Sequence, residues 1–241
     1  MTLYIRPLFL LLAGILFSFL TIPPARNAGN PIRLTFQPVF NGQPLQLDTV
    51  MYHNEAGQAM SVTRFRFYVS NVSLWQRGVQ QYADNTCFLI DASDAQSLSV
   101  TFSPFEKISF DEIRFLVGVD SARNISGAQE GALDPVNGMF WAWNTGYIFL
   151  KLEGKSAECP NPGGLFEYHI GGFKAPANSL RQIRITGNTF TSNVTLRADA
   201  AEVLKTPTTI NFKELPSVTG PAGSGTIADN YRDMFSVSTG N

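Results

Sequence analysis

Histidine and cysteine are scarce in this chain, with two of each in 241 residues, and tryptophan occurs three times. Chemistry that depends on imidazole or thiol is therefore confined to a few places. Recognisable enzyme signatures are also missing. The sequence has no GxSxG elbow, no Walker loop, no HExxH helix and no DxDxDG calcium loop, and neither cysteine stands in a signature with a histidine. Enzyme classes that announce themselves by local motifs are thereby excluded. An excess of one charge is absent too, since 18 basic residues face 19 acidic ones. Such a balance supplies no field to draw in nucleic acid or an anionic membrane.

One long apolar run is present, at the start. Arg6, the run over residues 8–22 and the small residues at 25–29 have the order of a secretory signal. At roughly 15 residues the run is short of the ~20 that a membrane span needs. It reads as a cleaved signal over 1–28, with a mature chain from residue 29 and no stable membrane insertion after cleavage. No cysteine lies near the exit, which excludes lipid attachment there. In an exported chain Cys87 and Cys159 are expected to form a disulfide, closing a loop of about 70 residues that constrains the unfolded chain by roughly 4 kcal/mol. The alternative use of the pair is as thiolate ligands for Cu(I).

About 210 residues remain, enough for one domain of the larger all-β kind. Apolar and polar residues alternate in short runs punctuated by Gly, Pro, Asn and Asp, the two-residue period of half-buried strands. Strands are predicted at 32–40, 63–75, 86–90, 98–102, 112–119, 146–152, 166–170, 179–186, 193–203 and 208–212. Ten short strands without a long helical pattern predict a β-sandwich. Within 63–75, Phe65, Phe67 and Val69 share one face and Arg64, Arg66 and Tyr68 the other, and the nineteen phenylalanines supply core filling between two sheets. Near the end, Ile227, Tyr231, Met234 and Phe235 recur at helical spacing, with Asp229 expected in the first turn. The preceding PSVTGPAGSG, residues 216–225, has the composition of a flexible connector.

Reactive side chains concentrate in LDPVNGMFWAWNTGYIFLKLEG at 133–154 and FEYHIGG at 166–172. Trp141 and Trp143, two residues apart, are expected on the same side of a strand, as packing or as an electron-rich site for ligand contact or oxidation. His53 lies in a turn-rich segment, and His169 on a predicted strand. Brought together across a sandwich, the two could hold Cu or Zn with a third group from Met51, Met60, Glu55 or Glu167, or each could be an ordinary hydrogen-bonded histidine.

These stretches, with FRFYVSNVSLW at 65–75, IRFLVGVD at 113–120 and IADNYRDMF at 227–235, resemble the MbnP-like family of exported, methanobactin-associated copper proteins. The segment from Gly138 to Asn144 is the most specific of them. The resemblance implies an extracytoplasmic β-sandwich over 29–241 that binds copper, Cu(I) or Cu(II), through histidines, here His53 and His169. It implies capture or transfer of copper rather than turnover. In some relatives a tryptophan is oxidised to kynurenine by a secreted di-haem, MauG-like protein, which makes Trp75, Trp141 and Trp143 the candidate targets or partner contacts. This chain departs from the family in lacking further histidines near its C terminus, and no tryptophan lies beside His53. The competing expectation is a non-metal β-sandwich, an interaction or structural module that kept the fold.

Overall fold

The computed structural model describes residues 29–143 and 146–238. The segment read as an export signal, and Asn144, lie outside the described residues. In chain order the strands are β1 (Ile32–Phe40), β2 (Gln43–Pro44), β3 (Tyr52–His53), β4 (Ala59–Gln76), β5 (Val79–Asp91), β6 (Ser99–Phe102), β7 (Glu112–Val117), β8 (Phe140–Trp141), β9 (Gly146–Lys155), β10 (Leu165–Gly171), β11 (Arg181–Thr186), β12 (Asn193–Asp199), β13 (Ser217–Val218) and β14 (Phe235–Val237). They form two sheets. The smaller runs β14-β12-β1-β2 with β6 also on β1, and the larger runs β11-β7-β4-β9-β10-β13. Strand β4 is the spine of the larger sheet, pairing over different parts of its length with β3, β5, β7 and β9.

Alternation decides which face each side chain takes. On β4, Phe65, Phe67 and Val69 are fully buried between the sheets, while Arg64 and Arg66 stand on the outer face. Phe36 of β1 meets Phe67, Phe115 and Phe235 edge-on at 5.9, 6.0 and 6.2 Å, the geometry that aromatic quadrupoles favour. The predicted sandwich is therefore the observed one.

Close approach of strands is set in part by Gly154. A Cβ there would lie 2.1 Å from the Ser61 carbonyl oxygen and 2.3 Å from the Phe166 ring. Because one neighbour is backbone, no rotamer change relieves the clash. Gly154→Ala is expected to cost about 2 kcal/mol, lowering the melting temperature by roughly 4–8 °C in thermal unfolding.

The outer face of the larger sheet is not bare. Residues 119–143 pack against it, and their Val119, Leu133, Met139 and Trp141 join Tyr68, Tyr147 and Phe149 of the sheet in a second apolar cluster. The LDPVNG segment builds this cover from local rules. Asp134 accepts a hydrogen bond from Val136 N, Pro135 opens a short 3-10 turn, and Gly138 closes it in the left-handed region at φ 67°. The Tyr68 and Tyr147 hydroxyls then donate to the carbonyls of Ala132 and Leu133 at 2.8 and 2.9 Å.

Several expectations need correction. Cys87 and Cys159 are free thiols, buried in different apolar clusters. Cys87 lies opposite Ser70, whereas Cys159 follows the end of β9, where Lys155 faces Ser61. The stretch of β4 from Ser61 to Ser70 is about 30 Å long, and a disulfide requires Cα atoms within roughly 7 Å. Burial pushes the Cys87 thiol pKa up to about 12, so Cys87 is not a ready thiolate.

Residues 208–212 form no strand. Ile210 and Phe212 are buried, but their backbone is satisfied by Leu204 O and by the Gln58 side chain rather than by a ladder. Strand β12 stops at Asp199 and passes into a 3-10 turn over Ala200–Leu204, capped by the Asp199 carboxylate. The supposed connector is structured as well: Ser217 and Val218 pair in parallel with Glu167 and Tyr168. The C-terminal helix, Ser224–Tyr231, buries Ile227 and Tyr231 as expected, but it ends before Met234 and Phe235, and Phe235 opens β14 instead. Asp229 lies in its second turn, not its first, where it pairs with Arg181 and Arg232. No helix among the described residues is long and apolar enough to cross a membrane.

Candidate metal centre on the outer sheet face

Three adjacent strands of the larger sheet bring a charged cluster together. Register sets Arg64 opposite Glu153 and Glu153 opposite Glu167, and in the next outward row Arg66 opposite Lys151 and Lys151 opposite His169. Each of these side chains points outward because its neighbours Phe65, Phe67, Leu150, Leu152, Tyr168 and Ile170 fill the core.

Glu153 is the hub. His169 Nε2 lies 2.8 Å from its Oε1, Arg64 Nη1 lies 2.9 Å from its Oε2, and Lys151 Nζ lies 3.8 Å from Oε1. One ligand atom each from Glu153, Glu167 and His169 falls within a 4.8 Å span, and all three residues are half-buried. Burial works to raise the Glu153 pKa, but the His169 hydrogen bond and the charges of Arg64 and Lys151 prevail and hold the carboxyl below its usual range. For Lys151, burial lowers the ammonium pKa below the usual lysine value, against the pull of Glu153.

The cluster is tied to the cover above it. Lys151 Nζ donates to Gly138 O at 2.6 Å and Arg66 Nη1 donates to Asn137 O at 3.0 Å, so two cations of the outer face hold the loop that leads to Trp141 and Trp143.

The donor set fits a divalent ion in kind. Imidazole and carboxylates bond such ions at about 2.0–2.2 Å, so two donors of one ion lie up to about 4 Å apart, near the 4.8 Å span seen here. Nitrogen and oxygen donors favour Cu(II) over Cu(I), which prefers sulfur. Arg64 and Lys151 already share Glu153 and would compete with the ion for it.

The structure does not bring the two histidines together. His53 pairs with Ala59, near the start of β4, while the His169 row meets β4 at Arg66. About 20 Å of extended chain separates those levels, far beyond what one ion bridges. His53 is exposed, two residues from Met51, which is 61 % exposed. Met60 is buried in the core. The tryptophans also part company. Trp141 is buried, Trp143 sits in the following turn at 70 % exposure, and their rings are 5.9 Å apart. Trp75 is half-buried beneath the Arg114 guanidinium, 3.8 Å from its ring centroid. Glu153 and Lys151, central to the site, escape motif reasoning. Their shared outward face is readable from the alternation in FLKLEG, but their strand partners are not.

Fold and site together define a two-sheet β-sandwich with a nitrogen-and-oxygen donor cluster on the outer face of its larger sheet. The chain belongs to the MbnP family, whose sequence model matches residues 29–220. The solved structure of MbnP from Methylosinus trichosporium is similar with a TM-score of 0.58 and 16 % identity, over 86 % of this chain and 98 % of that one. At that identity the likeness is one of fold. No curated protein sequence matches the chain.

Proposed function

We propose that this protein is an exported copper-binding protein that holds Cu(II) at His169 with Glu153 and Glu167, and captures or passes on the metal without turnover. The observation that carries this reading is the convergence of the three donors within 4.8 Å on one sheet face. Family membership supports the copper assignment, since the MbnP-like resemblance implies copper handling. Bound copper would supply a Lewis-acidic, redox-active centre. The chain's own residues do the rest: Arg64 and Lys151 limit the net negative charge, and buried Phe166 and Tyr168 anchor the strand that carries Glu167 and His169. His53 and Met51 offer a separate and weaker copper contact at the sheet edge, where thioether sulfur favours Cu(I). A di-haem MauG-like protein is the proposed partner, with exposed Trp143 the best placed of the three tryptophans to meet it.

The test is a Cu(II) competition titration of the chain from residue 29, beside His169→Gln and His53→Ala. Stoichiometric binding is expected in the parent, weakened by about 100-fold in His169→Gln and little changed in His53→Ala. Loss in His53→Ala with retention in His169→Gln would move the site to the sheet edge. Absence of binding tighter than about micromolar in the parent would sink the copper reading and leave the non-metal interaction or structural module.

A further inference from the structure

Besides the donor cluster, the larger clefts differ in one respect that bears on ligand chemistry. A cleft of about 520 Å³ beside β5 contains Arg66, Asp91 and Asp94, and Arg66 is already paired with Asp91 at 2.7 Å. Its charges cancel. A second cleft, of about 530 Å³, opens beside Trp141, between Phe173, Lys174 and Pro221. Lys174 is the single charged residue among those lining it, and no carboxylate pairs with Lys174 among the described residues.

Two aromatic rings, Trp141 and Phe173, stand in the wall. A Cβ at Gly171 would come 2.7 Å from the Trp141 ring, so the indole packs directly on the strand backbone. Trp143 lies against Gly220, where an added Cβ would be 3.2 Å from its ring, next to Pro221 in sequence but not itself in the lining. The Lys174 ammonium sits 5.1 Å from the Phe173 ring centroid. Asn124, the polar amide in the wall, is spent within the fold: its Nδ2 donates to Asp120 O and its Oδ1 accepts from Tyr147 N. What the cleft offers a ligand is thus a mixed polar and apolar lining with two aromatic rings in it and one positive charge that no carboxylate pairs, in a volume typical of small-molecule sites.

We propose that this cleft binds a small planar anion of the aromatic-carboxylate kind, its ring against Trp141 and Phe173 and its carboxylate on Lys174. Aromatic faces contribute affinity through area and stacking, and the lone ammonium selects the sign of the charge. The site is separate from the donor cluster on the outer sheet face and does not depend on copper.

Isothermal titration with three probes of one shape tests it: 2-naphthoate, neutral 2-naphthamide and cationic 2-naphthylmethylammonium. The parent protein is expected to bind the naphthoate in a saturable manner below about 1 mM and roughly fivefold or more tighter than the cation. In Lys174→Glu, an exposed position where folding is not at stake, that order is expected to reverse. In His169→Gln naphthoate binding should be unchanged, which keeps this result independent of the copper titration. Equal affinity for the three probes, an unaltered order in Lys174→Glu, or no saturable naphthoate binding by the parent overturns the proposal.

Discussion

Replacing Phe36 by alanine is expected to remove about 3–5 kcal/mol of stability, enough to lower the melting temperature by roughly 10 °C in a domain of this size. Phe36 is fully buried and stands where the two sheets meet, touching rings contributed by β4, β7 and β14. Its loss leaves a cavity that all three partners border, and partners held on separate strands cannot collapse into it. Phe105, 87 % exposed, is the matched control. Phe105→Ala should stay within about 0.5 kcal/mol. A shift of similar size in both variants, read by thermal or urea unfolding, would show that the core does not lie where Phe36 places it.

The second large effect concerns Glu153→Gln. The substitution keeps the shape of the side chain but removes the charge that offsets Lys151, which is 7 % exposed, and that partners Arg64 and His169. An ammonium left buried without its counter-charge should cost about 2–3 kcal/mol. The pH dependence gives a separate reading. Because the folded carboxyl titrates below the unfolded value of about 4.3, its charge stabilises the fold above that pH, and the contribution is lost as pH falls through the lower folded value. The parent should therefore lose stability on acidification below about pH 4.3 more steeply than Glu153→Gln. Parallel stability curves for the two proteins in that range would count against Glu153 as the hub.

The sandwich was legible in the sequence because its cause is local. Alternation over 63–75 assigns Phe65 and Phe67 to the core and Arg64 and Arg66 to the outer face, and the structure places them so. Periodicity likewise revealed the buried face of the C-terminal helix through Ile227 and Tyr231. Where satisfaction of the backbone came from side chains rather than ladders, the reading failed. Residues 208–212 alternate like a strand, yet Gln58 and Asn230 take the hydrogen bonds a neighbouring strand would have made. The donor cluster was half legible. His169 and Glu167 stood out by residue type and by alternation, but Glu153 acquires its meaning from register, which ties it to Arg64 on one side and Glu167 on the other. Register is also what separates His53 from His169, and nothing in the spacing of two histidines along a chain encodes it.

The parallel pairing of β1 with β12 carries a consequence for how the chain reaches this structure. Arg33 lies beside Asn193 and Val39 beside Asp199, so the first strand of the domain waits for a neighbour from near its other end. Until that neighbour is made, one edge of β1, the strand that carries Ile32, Leu34 and Phe36, has no partner, while β6 and β2 pair with it antiparallel. Contacts so far apart in sequence are slow to form, because a long loop must close before they repay its entropy. The smaller sheet is thus a late closure of the fold, and β1 is the stretch with the longest opportunity to pair with the wrong chain.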